Sequence, residues 1–355
     1  MSLPYLQNNW GLSNGLQTMN ASAGGSVGGW VELGRTTLGS ANATISVTGL
    51  SNKRYYMAVV NGLGASVPIN PYWRCNTDSG SNYATRNSEN GGADGTTTST
   101  TSARLYGVGS ATHWFGNSYF SNLSGNEKLI QGHTVCGLGT SSGTAPVRGE
   151  NTAKWANTSS SISSIQCYTG TADTFDTGSE LVILGWDPAD THTTNFWEEI
   201  ATDTGDGSST DITCTFTAKK YLWIQAYIEG SSSIAQSFRL GSSSTPDSGS
   251  NYAYRYSRNG GADSTAGSQT SMLGAWNEAT NRQLWNFFII NNASNEKLIL
   301  AHQVVTGTAG AGTAPDRSEW ACKWVNTSNQ ADVFEINRAS GNWSTASVVK
   351  VWGSD

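Results

Sequence analysis

The chain has 355 residues, a formal net charge of −6, a pI of about 5.2 and only 13% charged residues. No basic stripe exists to neutralise a phosphate backbone, which argues against nucleic acid as a partner. Its 41 glycines, 14 tryptophans and 13 tyrosines suit short strands and tight turns; aromatics in such number need burial or a ligand, which argues against disorder.

Residues 1–28 have no counterpart later in the chain and read as an extended N-terminal arm, with Tyr5, Leu6 and Trp10 among its apolar handles for a neighbouring subunit. Two repeats follow, 29–186 and 196–355, joined by a proline-containing polar linker at 187–195. Trp30-Val-Glu-Leu33 is answered by Trp197-Glu-Glu-Ile200, Ala43–Thr48 by Thr210–Thr215, and Lys53–Val60 by Lys219–Ala226. Each is a β-branched or aromatic run bounded by Gly, Ser or Asn, the mark of a strand. The stretch Asp78–Asp94 then returns 169 residues later as Asp247–Asp263, identical at 14 of 17 positions. Its mismatches, Thr85/Tyr254, Asn87/Tyr256 and Glu89/Arg258, are two residues apart, while Ala84, Arg86 and Ser88 recur as Ala253, Arg255 and Ser257. Strand side chains alternate between faces, so one face is fixed in both copies and the other varies. At the same spacing, Asn126-Glu-Lys-Leu-Ile130 recurs as Asn295-Glu-Lys-Leu-Ile299, Gly143-Thr-Ala-Pro146 as Gly312-Thr-Ala-Pro315, and Lys154–Ser159 as Lys323–Ser328. Each repeat closes on an apolar strand, Glu180–Gly185 and Ser347–Gly353.

The pattern predicts an all-β chain: two tandem antiparallel β-sandwich domains produced by internal duplication, with roughly eight strands per repeat. A jelly-roll-like topology is preferred and an immunoglobulin-like one comes second. The five cysteines leave at least one unpaired; Cys136, Cys167, Cys214 and Cys322 stand where the other copy has Val305, Ile336, Val47 and Ala153. They read as buried free thiols rather than a disulfide framework or a metal cluster. No stretch approaches the roughly 18–20 apolar residues of a membrane span, and residues 1–20 lack the basic start and apolar core of a secretory leader, so neither membrane insertion nor ordinary export is expected.

The Asp-Ser-Gly-Ser-Asn-Tyr run, the Asn-Glu-Lys-Leu-Ile strand, the Trp-Ala-Asn-Thr-Ser turn and the closing Gly-Ser-Glu-Leu-Val-Ile-Leu-Gly strand resemble a repeat of structural proteins of tailed bacteriophages. The resemblance covers nearly everything from Trp30 to Asp355. It implies a virion component made in the host cytoplasm and carries no active-site motif.

A search for chemistry agrees with that expectation. No nucleophile elbow, phosphate loop, dinucleotide fingerprint or zinc-binding His pair occurs. His133 and His302 correspond but lack a nucleophile partner, and Glu150 and Glu319 each stand two residues from an arginine, Arg148 or Arg317, with which an ion pair should form. The corresponding acids Asp78/Asp247 and Asp94/Asp263 sit beside Gly, Ser and Asn, as turn-forming side chains do; a calcium role at Asp78 or Asp94 has no spaced ligand loop behind it. No catalytic residue, metal or cofactor is therefore expected. Tyr254 and Tyr256, on the varied face of their strand, are the candidate surface for a subunit or a sugar, the alternative being that this face is covered as core in the second domain and wet in the first. The expected function is non-enzymatic: a capsid decoration or head-surface protein held by its arm, homo-oligomeric, with the major capsid protein or tail components as partners. The alternative is a tail-fibre or tail-tip adhesin binding host surface glycans, with a glycan depolymerase third.

Overall fold

A computed structural model describes residues 29–64, 70–105, 113–170, 173–188, 190, 194–231, 235–273, 282–306 and 310–355. Every regular element among them is a β-strand. The first half holds β1 (Val31–Thr37), β2 (Thr44–Thr48), β3 (Tyr55–Leu63), β4 (Pro71–Cys75), β5 (Tyr83–Glu89), β6 (Gly95–Thr100), β7 (Ala103–Arg104), β8 (His113–Ser121), β9 (Lys128–Cys136), β10 (Val147–Trp155), β11 (Ser164–Thr169) and β12 (Glu180–Trp186). The second half holds β13 (Glu198–Thr204), β14 (Asp211–Thr215), β15 (Tyr221–Ile228), β16 (Gln236–Ser242), β17 (Thr245–Pro246), β18 (Tyr252–Arg258), β19 (Ser264–Gln269), β20 (Met272–Leu273), β21 (Gln283–Ile290), β22 (Lys297–Val305), β23 (Asp316–Trp324), β24 (Val333–Arg338) and β25 (Val348–Ser354).

The first half builds an eight-stranded sheet in the order β1-β12-β3-β8-β9-β10-β5-β6 and a four-stranded sheet β2-β11-β4-β7. The second builds an eight-stranded sheet β13-β25-β15-β21-β22-β23-β18-β19 and a five-stranded one, β14-β24-β16-β17 with β20 beside β16. All ladders are antiparallel. The chain makes more strands than the roughly eight per half that apolar alternation predicts. β6 is one example: Gly-Thr-Thr-Thr-Ser-Thr is exposed along most of its length, so its threonines supply strand propensity without a core-facing pattern.

Alternation places the side chains. In β2, Ile45 and Val47 point inward between exposed or half-buried threonines and serine, and β4 does the same with Trp73 and Cys75. They meet Tyr56, Ala58 and Val60 of β3 and Trp114 of β8 in one buried cluster shared by the large and small sheets. A matching cluster lies in the second half around Ile224, Trp285, Phe287 and Phe334. A third lies between the halves, where the other faces of the two large sheets meet: Val59, Phe115, Val135 and Val182 from one, Tyr221, Phe288, Leu298, Leu300 and Trp352 from the other. This is why β3 and β15 are buried on both faces while β2 and β14 are buried on one.

The repeated polar motifs are fastenings. Asp78 accepts hydrogen bonds from the Gly80 amide at 2.8 Å, the Asn82 side chain at 2.9 Å and the Trp155 indole at 2.7 Å. Asp247 does the same with Gly249, Asn251 and Trp324 at 2.7, 2.8 and 2.7 Å. Burial alone would raise both carboxyl pKa values, but the indole and the two local donors outweigh it and hold them below the usual value. Lys128 donates to the carbonyls of Leu123, Asn126 and Asn157, and Lys297 to those of Asn295 and Asn326. The Asn-Glu-Lys motif is thereby tied to the turn after the Lys-Trp motif. All five cysteines are free and buried.

One sequence expectation needs correction. Tyr254 is not exposed: at 5% exposure it belongs to the second core, and Tyr256 is half-buried against Trp320, rings stacked 4.3 Å apart. The varied face of this strand points inward in both halves, since Thr85 and Asn87 are buried too. Asn87 pairs across the ladder with Asn151, and Tyr256 with Trp320, so a polar pair in one half is an aromatic pair in the other. Within residues 187–190 the Asp187 amide donates to the Asp190 carboxylate, which also pairs with Lys53.

Candidate binding cleft between the two large sheets

The two large sheets touch through the faces that carry Arg86 and Arg255, but only along one side. There Arg148 of β10 pairs with Asp263 at 2.6 Å, and Arg255 of β18 donates to the Pro146 carbonyl at 2.9 Å. Lys323 donates to the carbonyls of Gly137 and Gly139 at 2.6 and 2.9 Å. Glu180 accepts from Tyr221 at 2.7 Å and from Lys220 at 2.8 Å. Near the middle, His133 and His302 meet ring to ring, centroids 4.5 Å apart. Burial lowers their pKa values to about 4 and about 3, aided by Arg148 beside His133 and by the His–His contact itself, so both are neutral at pH 7.

Residues at the same ladder positions on the other side stay apart. Lys154, the counterpart of Lys323, is exposed and pairs with Glu127 at 3.0 Å. Arg317, the counterpart of Arg148, pairs with neighbouring Glu319, and Asp94, the counterpart of Asp263, pairs with Arg86 at 3.2 Å. Pro315 is exposed where Pro146 is buried. Phe115 and Val135 lie in the contact, whereas their counterparts Leu284 and Val304 are 39% and 40% exposed. The sheets therefore meet in a wedge, closed on one side and open on the other.

The open side is a groove of about 1100 Å³ on the first large sheet. Its aromatic wall consists of Trp30, Tyr55, Tyr119 and Trp186. Tyr55 and Trp186 stack at 5.4 Å, and Trp30 lies 6.1 Å from Tyr119 and 6.4 Å from Trp186. Leu129, 59% exposed, lines it together with Ser121, Gln131, Thr152, Lys154 and Arg86. An adjoining recess of about 540 Å³ shares Arg86, Gln131 and Thr152 with the groove and reaches His133, Glu150, Asn286, His302, Arg317 and Glu319. Both glutamates are held by their arginines, as their spacing predicts: Arg148 donates to Glu150 and Arg317 to Glu319. Among the described residues no group of three or more His, Cys, Asp or Glu side chains is placed to hold a metal ion.

Of the sequence-predicted residues, Tyr5, Leu6 and Trp10 lie outside the described residues. Tyr254 and Tyr256 do not line the cleft. The structure instead brings together Trp30, Tyr55, Tyr119 and Trp186, of which sequence reasoning places Trp30 and Tyr55 in strands and singles out none as a site residue. A signal for them exists in the repeat itself. Tyr119, Ser121, Gln131 and Thr152 stand where the second half has Phe288, Ile290, Leu300 and Ala321, four polar-for-apolar exchanges at alternate positions of three strands.

No family model matches the chain, and no curated protein matches it. Among solved structures, the Neisserial surface protein A shares 6% identity at a TM-score of 0.10, over 81% of this chain and 99% of that one. The translocator domain of the autotransporter NalP from Neisseria meningitidis shares 7% at a TM-score of 0.13, over 80% and 88%. Likeness at that level carries no argument about fold or function.

Proposed function

We propose that this chain is a non-enzymatic bacteriophage virion structural protein, a capsid decoration or head-surface component attached through residues 1–28. It consists of two β-sandwich units that arose by internal duplication. Strand order supports the jelly-roll reading: setting aside β5, β6, β9 and β10 leaves β1-β12-β3-β8 opposite β2-β11-β4-β7, the pairing of an eight-stranded jelly roll. The same reduction of the second half gives β13-β25-β15-β21 opposite β14-β24-β16 with β20. The four added strands carry most of the repeated motifs and much of the contact between the units.

The observation that carries the binding-protein reading is the cleft, which offers aromatic and amide surface while its carboxylates are tied to arginines. A glycosidase needs a carboxyl free to hand a proton to the leaving group; Glu150 and Glu319 are instead each engaged by a neighbouring guanidinium. The aromatic wall also favours a second reading, an adhesin at a tail fibre or tail tip that binds host surface glycans. Co-sedimentation with bare capsids separates the two. Saturable binding by the full chain, lost on deletion of residues 1–28, supports the decoration role; failure of both forms to bind shells while both label host cells favours the adhesin.

A further inference from the structure

We infer that the open side of the wedge is a binding site for a neutral oligosaccharide, with Trp30, Tyr55, Tyr119 and Trp186 as its stacking wall and Gln131, Thr152 and Asn286 as hydrogen-bonding groups. The argument rests on what the same surface does in the other half. In the second half it is covered by protein and is dry: Phe288, Ile290, Leu300 and Ala321 are buried against the first half. In the first half the same positions carry Tyr119, Ser121, Gln131 and Thr152. Each exchange adds a hydroxyl or amide, and Tyr119 keeps the aromatic body of Phe288. Ser121 already accepts from the Leu129 amide at 2.9 Å, but a second protein surface of the kind that covers the second half would bury the exposed Gln131 amide and Thr152 hydroxyl at a cost. A ligand with apolar faces and a rim of hydroxyls satisfies both the rings and the amides, as sugars do.

Charge narrows the class. The cations at the groove already have partners, Lys154 with Glu127 and Arg86 with Asp94, and the recess carries two arginine–glutamate pairs. An acidic or basic polymer would have to break these pairs; a neutral one leaves them intact. Leu129, with more of its surface exposed than Leu123, Leu284 or Val304, supplies a further apolar contact beside the rings. For the source of the glycan the inference draws on the adhesin reading, but a cleft that binds no sugar leaves shell attachment through residues 1–28 untouched.

The test titrates the full-length protein with neutral gluco- and galacto-oligosaccharides of four to six units, and with polygalacturonate and chitosan oligomers as charged controls. Tryptophan fluorescence and calorimetry serve as readouts. The expected result is binding of at least one neutral oligomer, weakened about tenfold or more by Trp186→Ala and by Gln131→Ala. Tyr256→Phe, away from the cleft, should leave it unchanged, and unfolding curves check that the variants are folded. Preference for the charged polymers overturns the neutral class. Absence of binding to every neutral oligomer, by the full chain and by a form lacking residues 1–28, overturns the site. In that event, loss of self-association in Leu129→Arg assigns the groove to a second copy, and cross-linking of the arm to Leu129→Cys assigns it to residues 1–28.

Discussion

Lys323 and Lys154 occupy the same place in the two halves, preceding Trp324 and Trp155 in the same motif, yet the wedge gives them opposite energetic weight. Lys323 is fully buried and spans the contact, with hydrogen bonds of 2.6 and 2.9 Å to the Gly137 and Gly139 carbonyls. Hydrogen bonds to a charged group contribute roughly 1.5–3 kcal/mol each. Against them stands the cost of keeping an ammonium out of water, the cause of its lowered pKa. Replacement by Met keeps most of the stem, removes both bonds and strands one buried and one half-buried carbonyl, so the net loss should be about 2–4 kcal/mol. Lys154 has only its exposed partner Glu127, and Lys154→Met should stay within about 0.5 kcal/mol of the parent. Urea unfolding followed by tryptophan fluorescence reads both variants. Losses within about 0.5 kcal/mol of each other would refute the division into a closed and an open side.

The aspartate fastenings make a second prediction. Asp247→Ala should cost about 2–4 kcal/mol, because the buried Trp324 indole loses its acceptor at 2.7 Å; in a Trp324→Phe background the cost should fall by about 1–2 kcal/mol, measured as a double-mutant cycle. The histidine pair makes a third. With folded pKa values of about 4 and about 3, His133 and His302 resist protonation that the unfolded chain accepts from about pH 6.5 downward. Their contribution is therefore present above pH 6.5 and is lost as the pH falls toward 4. Urea midpoints across that range should drop less steeply for the double variant His133→Gln/His302→Gln, and an unchanged slope would remove the pair from the acid response.

The all-β character was legible because strand sequences such as Thr44–Thr48 and Pro71–Cys75 alternate cleanly, and their burial follows that alternation. The ion pairs of Glu150 and Glu319 were legible from a spacing of two, which puts each acid and its arginine on one strand face. Which face of β18 points inward was not. An unvaried face can be unvaried because it is core or because it meets another part of the chain, and Ala253 and Arg255 are the second case. The cleft was hidden for a different reason: Trp30, Tyr55, Tyr119 and Trp186 come from the chain before β1 and from three strands, and only the sheet order makes them neighbours.

The wedge also explains why two similar halves differ in composition on corresponding surfaces. Had the sheets met evenly, Arg317 and Asp94 would repeat the Arg148–Asp263 pair, and Leu284 and Val304 would be as covered as Phe115 and Val135. Instead each open-side charge has found a local partner, Glu319 for Arg317, Arg86 for Asp94 and Glu127 for Lys154. Such exposed pairs add little stability, but they leave the cleft without loose charge. The closed side, with Lys323 and Arg148, holds the sheets together; on the opposite side Gln131 and Thr152 are exposed, while the rings of Trp30 and Tyr119 are half-buried against the edge of the third cluster. The asymmetry is written in the residues: one copy of the surface packs against its own chain through Phe288, Ile290, Leu300 and Ala321, and the other carries Tyr119, Ser121, Gln131 and Thr152 at the same positions.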